Sequence, residues 1–213
     1  MRIAILGTGA VGRAVAGRLV ELGHDVTVGT RDVDDTRARP EWGAGSVAGL
    51  ATFAVAAARS ELVVHASGGS AALDVLVAAG EHNLAGKVLL DVANPLDFSG
   101  GFPPSLFVKD TDSLAERIQR TFPFARVVKS LNTVTAELMV DPGAVGGEHT
   151  MFVAGDDAEA KAVVSGLLAE FGWRDVIDLG DLTGARGMEM LMPLWLRLFG
   201  TLGTAAFGVK VVR

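Results

Sequence analysis

"RIAILGTGAVG", Arg2 to Gly12, begins as an apolar run of strand type and ends on Gly7, Gly9 and Gly12. The residues that follow, "RAVAGRLVELG" from Arg13 to Gly23, read as an amphipathic helix closed by a glycine. A strand that turns into a helix through G-x-G-x-x-G meets three physical needs. The first glycine permits a tight turn, the second lets backbone approach a pyrophosphate, and the third lets the helix pack closely on the strand. Free amides and the positive end of the helix then face the phosphates. The loop is therefore expected to bind a dinucleotide. Thr8, inside the turn, either touches phosphate or serves the turn alone.

The next strand carries the choice of dinucleotide. In "VTVGTRD", Val26 to Asp32, alternation with Val26 and Val28 puts Thr30 at the strand tip, where an NAD site places an acid for the ribose hydroxyls. An acid there repels a 2′-phosphate. Thr30 can hydrogen-bond that phosphate, and Arg31 can lay its guanidinium against it with two charge-assisted bonds. NADP(H) is the expected cofactor. A strand two residues longer would instead make Asp32 a ribose ligand. Arg37 and Arg39 fit a solvated loop that adds positive field.

Further along, apolar β-branched runs alternate with segments of helical period, as expected of parallel strands covered by helices on both faces. Strands are predicted near Arg2 to Leu6, Asp25 to Thr30, Leu62 to Ala66, Lys87 to Val92, Val127 to Leu131, Met151 to Ala154 and Asp175 to Leu179, with a weaker one near Val47. Helices fit Gly12 to Leu22, Thr52 to Ala58, Ala71 to Ala79, Leu114 to Thr121, Asp157 to Phe171 and a C-terminal one from about Ala185, which Pro193 should bend or restart. Ser113 and Glu116 have capping-box spacing, and Gly172 stands where a left-handed helix end favours glycine. "ANPLDFSGGFPPSLFVKDTD", from Ala93, reads as a long loop without an element of its own, of the kind that borders a site. The expected architecture is α/β: a single Rossmann-type, doubly wound, mainly parallel sheet over residues 1–213, with 184–213 as a short C-terminal helical extension and tail.

Composition narrows the function. The 213 residues are 49% hydrophobic, enough for a sizeable core. A formal net charge of -6 with no basic cluster argues against nucleic acid. The chain has no cysteine, so thiol catalysis, disulfides and thiolate metal sites are excluded and a cytoplasmic location is expected. It also has no tyrosine, which removes the Tyr/Lys pair of short-chain dehydrogenases. Met1 enters "RIAIL" without a charged leader and a separate apolar region, so no secretory signal is expected. "MLMPLWLRLFGTLG", from Met190, is too short for a membrane span and carries Arg197.

Acid and base candidates are scarce. His24 and His82 read as surface residues, His149 has no evident partner, and no histidine pair has metal spacing, so no metal is expected. His65 ends a strand that points toward the cofactor; it either faces the nicotinamide or is satisfied inside the core, and the second reading is favoured. No Ser/His/Asp order or Gly-x-Ser-x-Gly elbow points to acyl transfer. Such poverty fits transfer between two redox cofactors, where neither partner demands a strong proton donor. Fewer than thirty residues follow Gly184, so a small-molecule acceptor must bind at the carboxyl ends of the strands, where "HASGG", "DVANPLD" and "KSLNTV" converge.

"ILGTGAVG", "VTVGTRD", "DVANPLD", "VVKSLNTV", "FVAGDD" and the closing "FGVKVV" together resemble the family of coenzyme F420-dependent NADP reductases, which also includes the NADPH-binding domain of the STEAP metalloreductases. The resemblance runs over nearly the whole chain. It implies Thr8, Ala10 and Val11 at the pyrophosphate, Thr30 and Arg31 at the 2′-phosphate, and the segments of Ala66, Ser67, Asn94 and Pro95 at the nicotinamide end. It also implies a homodimer packed through C-terminal helices and a deazaflavin, F420, over the nicotinamide, with Asn132, Thr133, Val134 and Met192 as acceptor-site candidates. Two departures stand out. The archaeal reductases resemble "HTIP" where this chain has Asn132 to Thr135, which lacks the histidine and is closer to the STEAP domains, whose acceptor is an ordinary flavin. An acid near Asp35 replaces a lysine of the 2′-phosphate site. Met190, Met192, Leu194, Leu196, Leu198 and Phe199 either line an apolar slot for a tricyclic ring or are buried in a core or dimer interface. The expected activity is hydride transfer between NADP(H) and F420. The alternatives are reduction of FMN, FAD or a quinone, and a non-catalytic NADP(H) sensor.

Overall fold

The computed structural model describes residues 1–42 and 48–213. In chain order the elements are β1 Arg2–Leu6, α1 Ala10–Glu21, β2 Asp25–Thr30, α2 Val33–Arg37, β3 Gly49–Thr52, α3 Phe53–Arg59, β4 Leu62–His65, α4 Ala72–Ala79, α5 Glu81–Leu84 and β5 Val88–Asp91. Then come β6 Leu96–Asp97, β7 Ser105–Leu106, α6 Leu114–Thr121, β8 Arg126–Ser130, α7 Ala136–Val140, β9 Thr150–Gly155, α8 Ala158–Phe171, β10 Asp175–Asp178, α9 Ala185–Met190 and α10 Met192–Leu202. The main sheet runs β10-β9-β8-β5-β4-β1-β2-β3. Between β1 and β4 the strand order reverses, and that reversal opens a crevice at the carboxyl ends of the strands.

Helices cover both faces, so the central strands are buried on both sides and read as unbroken apolar runs rather than alternating ones. Ile3, Ile5, Val64, Leu90 and Val128 pack in one cluster with Val15 and Leu19 of α1 and with Val164, Leu167 and Leu168 of α8. Their sequence neighbours Ala4, Leu6, Val63, Leu89 and Val127 point the other way and pack with Ala56 of α3, Leu76 of α4 and Ile118 of α6. Each such fully buried aliphatic side chain contributes roughly 1.5–3 kcal/mol.

The Rossmann-type α/β architecture predicted above is the one observed, with local differences. β9 runs antiparallel to β8 and parallel to β10, so one edge of the sheet is reversed. The long loop after Ala93 does hold an element: β6 and β7 form a small antiparallel hairpin. The short helices α2 and α7 were too brief to show as a periodic pattern. The strand expected near Val47 lies outside the described residues, and β3 begins at Gly49. Ser113 accepts from the Glu116 amide, as its spacing predicts, while the Glu116 carboxylate accepts from the Ser113 hydroxyl rather than from a backbone amide. Gly172 closes α8 at φ 105°. Pro193 restarts the helix: α9 ends at Met190 and α10 holds the proline in its first turn. The tail then returns to β9, where the Thr150 amide donates to the Val209 carbonyl. Among the described residues no helix is long and apolar enough to cross a membrane.

Candidate functional site

The glycine loop divides its labour as the spacing requires. A Cβ on Gly7 would sit 2.4 Å from the Ala66 oxygen, and one on Gly12 would sit 2.1 Å from the Gly7 oxygen. Both glycines are thus consumed by close backbone packing. A Cβ on Gly9 would meet nothing within 4 Å. Its open side leaves room for a ligand to approach backbone at the start of α1, which fits a dinucleotide pyrophosphate. Thr8 is pinned: its carbonyl accepts from Arg13 and from the Trp42 indole, and its hydroxyl accepts from Arg39 at 3.3 Å. Arg39 therefore reaches the loop from outside, rather than only adding field.

At the tip of β2 the structure corrects one expectation. Thr30 is buried, and its hydroxyl is 2.7 Å from that of Thr36 and 3.2 Å from the Asp32 carbonyl. Those bonds hold α2 against the strand and commit the Thr30 hydroxyl proton within the chain, although Thr30 lines the same surface pocket as Arg31. Arg31 is exposed beside Thr52, Phe53 and Asp74. Because β2 stops at Thr30, Asp32 is not a ribose ligand at a strand tip; its side chain caps α2 by accepting from the Asp35 amide. Arg37 pairs with Asp34 at the surface.

Beyond the loop lies a cleft of about 500 Å³ at the strand ends. Ala10, Val11, Ala66, Ser67 and Asn94 line it together with Asn132, Val134 and Met192, so most candidates for the two ends of the reaction meet in one cavity. Thr133 and Pro95 are buried behind the wall and do not line it. Asn94 and Asn132 clasp each other: the Asn132 amide donates to Asn94 Oδ1 at 2.9 Å and to the Met188 carbonyl at 3.0 Å, while Asn94 donates to the Asn132 carbonyl. Asn132 is thus largely packing, yet its Oδ1 is buried without a partner, as is Trp195 Nε1, and both residues line the cleft. Trp195 is held between Phe199 and Phe207 by stacking. Leu194 and Met190 point outward instead of into a slot.

Under this floor is a charged row that the sequence reading missed. β4, β5 and β8 pair in register, so His65 lies opposite Asp91 and Asp91 opposite Lys129. Lys129 Nζ is 2.8 Å from Asp91 Oδ2 and 2.9 Å from Glu189 Oε1, and it also donates to the Ala93 carbonyl. Glu189 accepts the Leu114 and Ala115 amides at the start of α6. His65 Nδ1 is 2.7 Å from Asp91 Oδ1, and Nε2 is 2.6 Å from Ser67 Oγ. All four charged or titratable side chains have at most 1% exposure. Burial pushes the Asp91 carboxyl up, but the Lys129 ammonium and the hydrogen bonds from His65 and Lys129 outweigh it and hold Asp91 at about 2. Burial likewise works against the Lys129 ammonium, and the two carboxylates overcome it and raise Lys129 above the ordinary lysine value.

A sequence profile described as "NADP oxidoreductase coenzyme F420-dependent" matches residues 2–95. The F420-dependent NADP reductase of Methanothermobacter marburgensis is 30% identical over 93% of this chain and 92% of its own. The chain belongs to the F420-dependent NADP reductase family. A crystal structure from Arthrobacter sp. FB24 that provisionally carries the same reductase name is 57% identical, covers both chains fully and superposes with a TM-score of 0.98. The metalloreductase STEAP3 of Rattus norvegicus is 32% identical over 91% of this reductase, which spans 38% of the rat protein. A reductive aminase of Aspergillus terreus in complex with NADPH and ethyl-5-oxohexanoate is 25% identical over 95% of this chain and 62% of its own, with a TM-score of 0.65. The protein is an NADP-dependent oxidoreductase, and NADP(H) is its cofactor.

In this reductase acids and bases are not scarce at the site: they lie in the strands themselves and in α9, outside any histidine pair or catalytic motif. "DVANPLD" and "KSLNTV" each open with a charged residue at or next to the end of a central strand, directly after a buried apolar pair, Leu89–Leu90 or Val127–Val128. A charge in that position is rarely buried unless paired, and two such charges in neighbouring strands were the available signal. Ser67, His65 and Asp91 are also in hydrogen-bonded sequence, although their order along the chain matches no hydrolase pattern. His24, read as a surface residue, is mostly covered and bonds Glu170 at 2.7 Å.

Proposed function

We propose that this reductase transfers a hydride between NADP(H) and the deazaflavin coenzyme F420. The observation that carries the reading is the shared cleft, which brings the segment expected at the nicotinamide into one cavity with Asn132, Val134 and Met192. Gly7 to Gly12 would hold the pyrophosphate, with Gly9 leaving room for it. Arg31 and Arg39 would meet the 2′-phosphate, without Thr30. NADP(H) supplies or takes the hydride when bound. The chain's own contribution is to orient and dry the site: Val92, Val134, Met139, Met192 and Trp195 make the walls apolar, and alignment of two bound rings accounts for most of the rate. Asn132 and Trp195 line this cleft, and each holds a buried polar atom without a partner, Oδ1 and Nε1, close to where a deazaflavin would lie. The similarity to the rat metalloreductase keeps FMN and FAD as a second reading. We also propose a homodimer through the outer face of α10, where Leu194 and Leu202 are exposed.

The test is an anaerobic assay of the purified protein with NADPH and oxidised F420, following loss of deazaflavin absorbance, with FMN and FAD in parallel. Rapid NADPH-selective bleaching of F420 is expected. Reaction with FMN or FAD alone would replace F420 by a flavin. NADPH binding without any turnover would leave the chain a sensor.

A further inference from the structure

The buried row is more than a staple, because it ends at the cleft. Two carboxylates, Asp91 and Glu189, share one ammonium, Lys129, in a volume closed to water. Asp91 is ionised and so can only accept, which places the His65 proton on Nδ1. His65 Nε2 is then the ring nitrogen left to face Ser67. It faces Ser67 Oγ at 2.6 Å, and Ser67 lines the cleft. When Nε2 is bare, Ser67 must donate to it and presents only lone pairs to a ligand. When Nε2 carries a proton, Ser67 accepts that bond, and its own O–H is released toward the cleft, where the Gly68 carbonyl at 3.5 Å is its only other partner among the described residues. The protonation of His65 therefore decides whether the cleft floor is an acceptor or a donor. The groups facing His65 are Asp91 from β5 and, behind it, Lys129 from β8 and Glu189 from α9; on its other side β1 presents Leu6, which carries no charge.

We propose that Ser67, His65 and Asp91 form a proton relay opening on the cleft, with Ser67 touching the ligand and His65 Nε2 holding the proton. The relay rests on the reductase reading above only for the identity of the acceptor. Two-electron reduction by NADPH consumes one further proton: NADPH, acceptor and H⁺ give NADP⁺ and the dihydro acceptor. Ser67 Oγ–H gives its proton to the acceptor, and His65 Nε2–H remakes the Ser67 O–H. His65 is left neutral, with Nδ1–H still on Asp91. A solvent proton returns through Ser67 after product leaves, and the opposite direction reverses each transfer. Lys129 and Glu189 are positioning residues that keep Asp91 ionised and His65 in one orientation.

The first test needs no acceptor. Imidazole nitrogen NMR of protein carrying ¹⁵N-histidine, titrated with pH with and without NADP⁺, should show Nδ1 protonated throughout and Nε2 titrating, with a midpoint that moves when NADP⁺ is added. Ser67→Ala, which leaves the buried row intact, should abolish most of that ligand-induced movement. With whichever acceptor the wild type reduces, Ser67→Ala should lower kcat about 100-fold under saturating NADPH and remove its solvent-deuterium effect. Asp91→Asn should shift the pH profile of kcat. A histidine Nε2 indifferent to pH and to NADP⁺, or a Ser67→Ala enzyme with wild-type kcat and pH profile, would overturn the relay. If F420, FMN and FAD all fail with the wild type, the proposed activity falls while the NMR titration still decides the relay.

Discussion

The two ends of the proposed NADP(H) groove are built by opposite means. At the end assigned above to the phosphates the chain presents backbone and solvent-facing arginines: Gly9 has open space around it, and Arg31 and Arg39 are exposed. At the reacting end the floor is a buried ionic row in which Asp91, Lys129, Glu189 and His65 have almost no contact with water. An anion needs amides and a field, which a loop and a helix start supply locally. Holding a proton at one defined atom needs a low-dielectric site with every other donor and acceptor committed, and only packed strands and helices supply that.

Several substitutions would break or sharpen this contrast. The largest effect belongs to the row. Lys129→Met leaves Asp91 and Glu189 buried without their cation and should cost about 3–5 kcal/mol, read from the urea midpoint. A midpoint equal to wild type would mean that water enters the row and that the contrast is false. The pH dependence has a definite sign. Asp91 is depressed in the folded state, so its contribution is complete above the ordinary carboxylate value of 3.8 and is lost as pH falls toward about 2. Lys129 is raised, so its contribution is complete below 10.5 and is lost as pH climbs through the higher folded value.

A glycine pair tests the phosphate end. Gly12→Ala drives a methyl into the Gly7 carbonyl and should destabilise the fold by about 1–3 kcal/mol or more, because backbone rather than a flexible side chain must yield. Gly9→Ala meets no protein atom and should change the unfolding midpoint by no more than about 0.5 kcal/mol while still weakening NADPH binding. Equal behaviour of the two variants in both assays would remove the distinction between a packing glycine and a ligand glycine.

The smallest effects separate neighbours on β2 and α2. Arg31→Ala should weaken NADPH by roughly 10- to 100-fold and NADH hardly at all, as loss of charge-assisted bonds to a 2′-phosphate requires. Asp32→Ala should cost about 1 kcal/mol of stability through the lost cap and leave the NADPH preference as it was. A variant at Asp32 that instead altered NADH affinity would return this residue to the ribose.

Much of the fold was legible because it rests on periodicity. The boundaries of α6, for example, agree residue for residue with the apolar spacing of Leu114 to Thr121. The short helix α2 was not, because five residues give no periodic signal, and without it Thr30 looked free to meet a phosphate when in fact Thr36 and the Asp32 carbonyl occupy it. Likewise β9 reads as an ordinary strand, and nothing local states that it runs antiparallel to β8.

By itself the sequence determined the Rossmann-type fold, the loop from Gly7 to Gly12 and the family, since each depends on spacing within a few turns of chain. Only the tertiary structure decided that His65, Asp91, Lys129 and Glu189, which are far apart along the chain, form one charged row ending at Ser67. Strand register and helix docking set those distances, and the free energy of a buried charge depends on which partner lies within 3 Å. No local pattern encodes that.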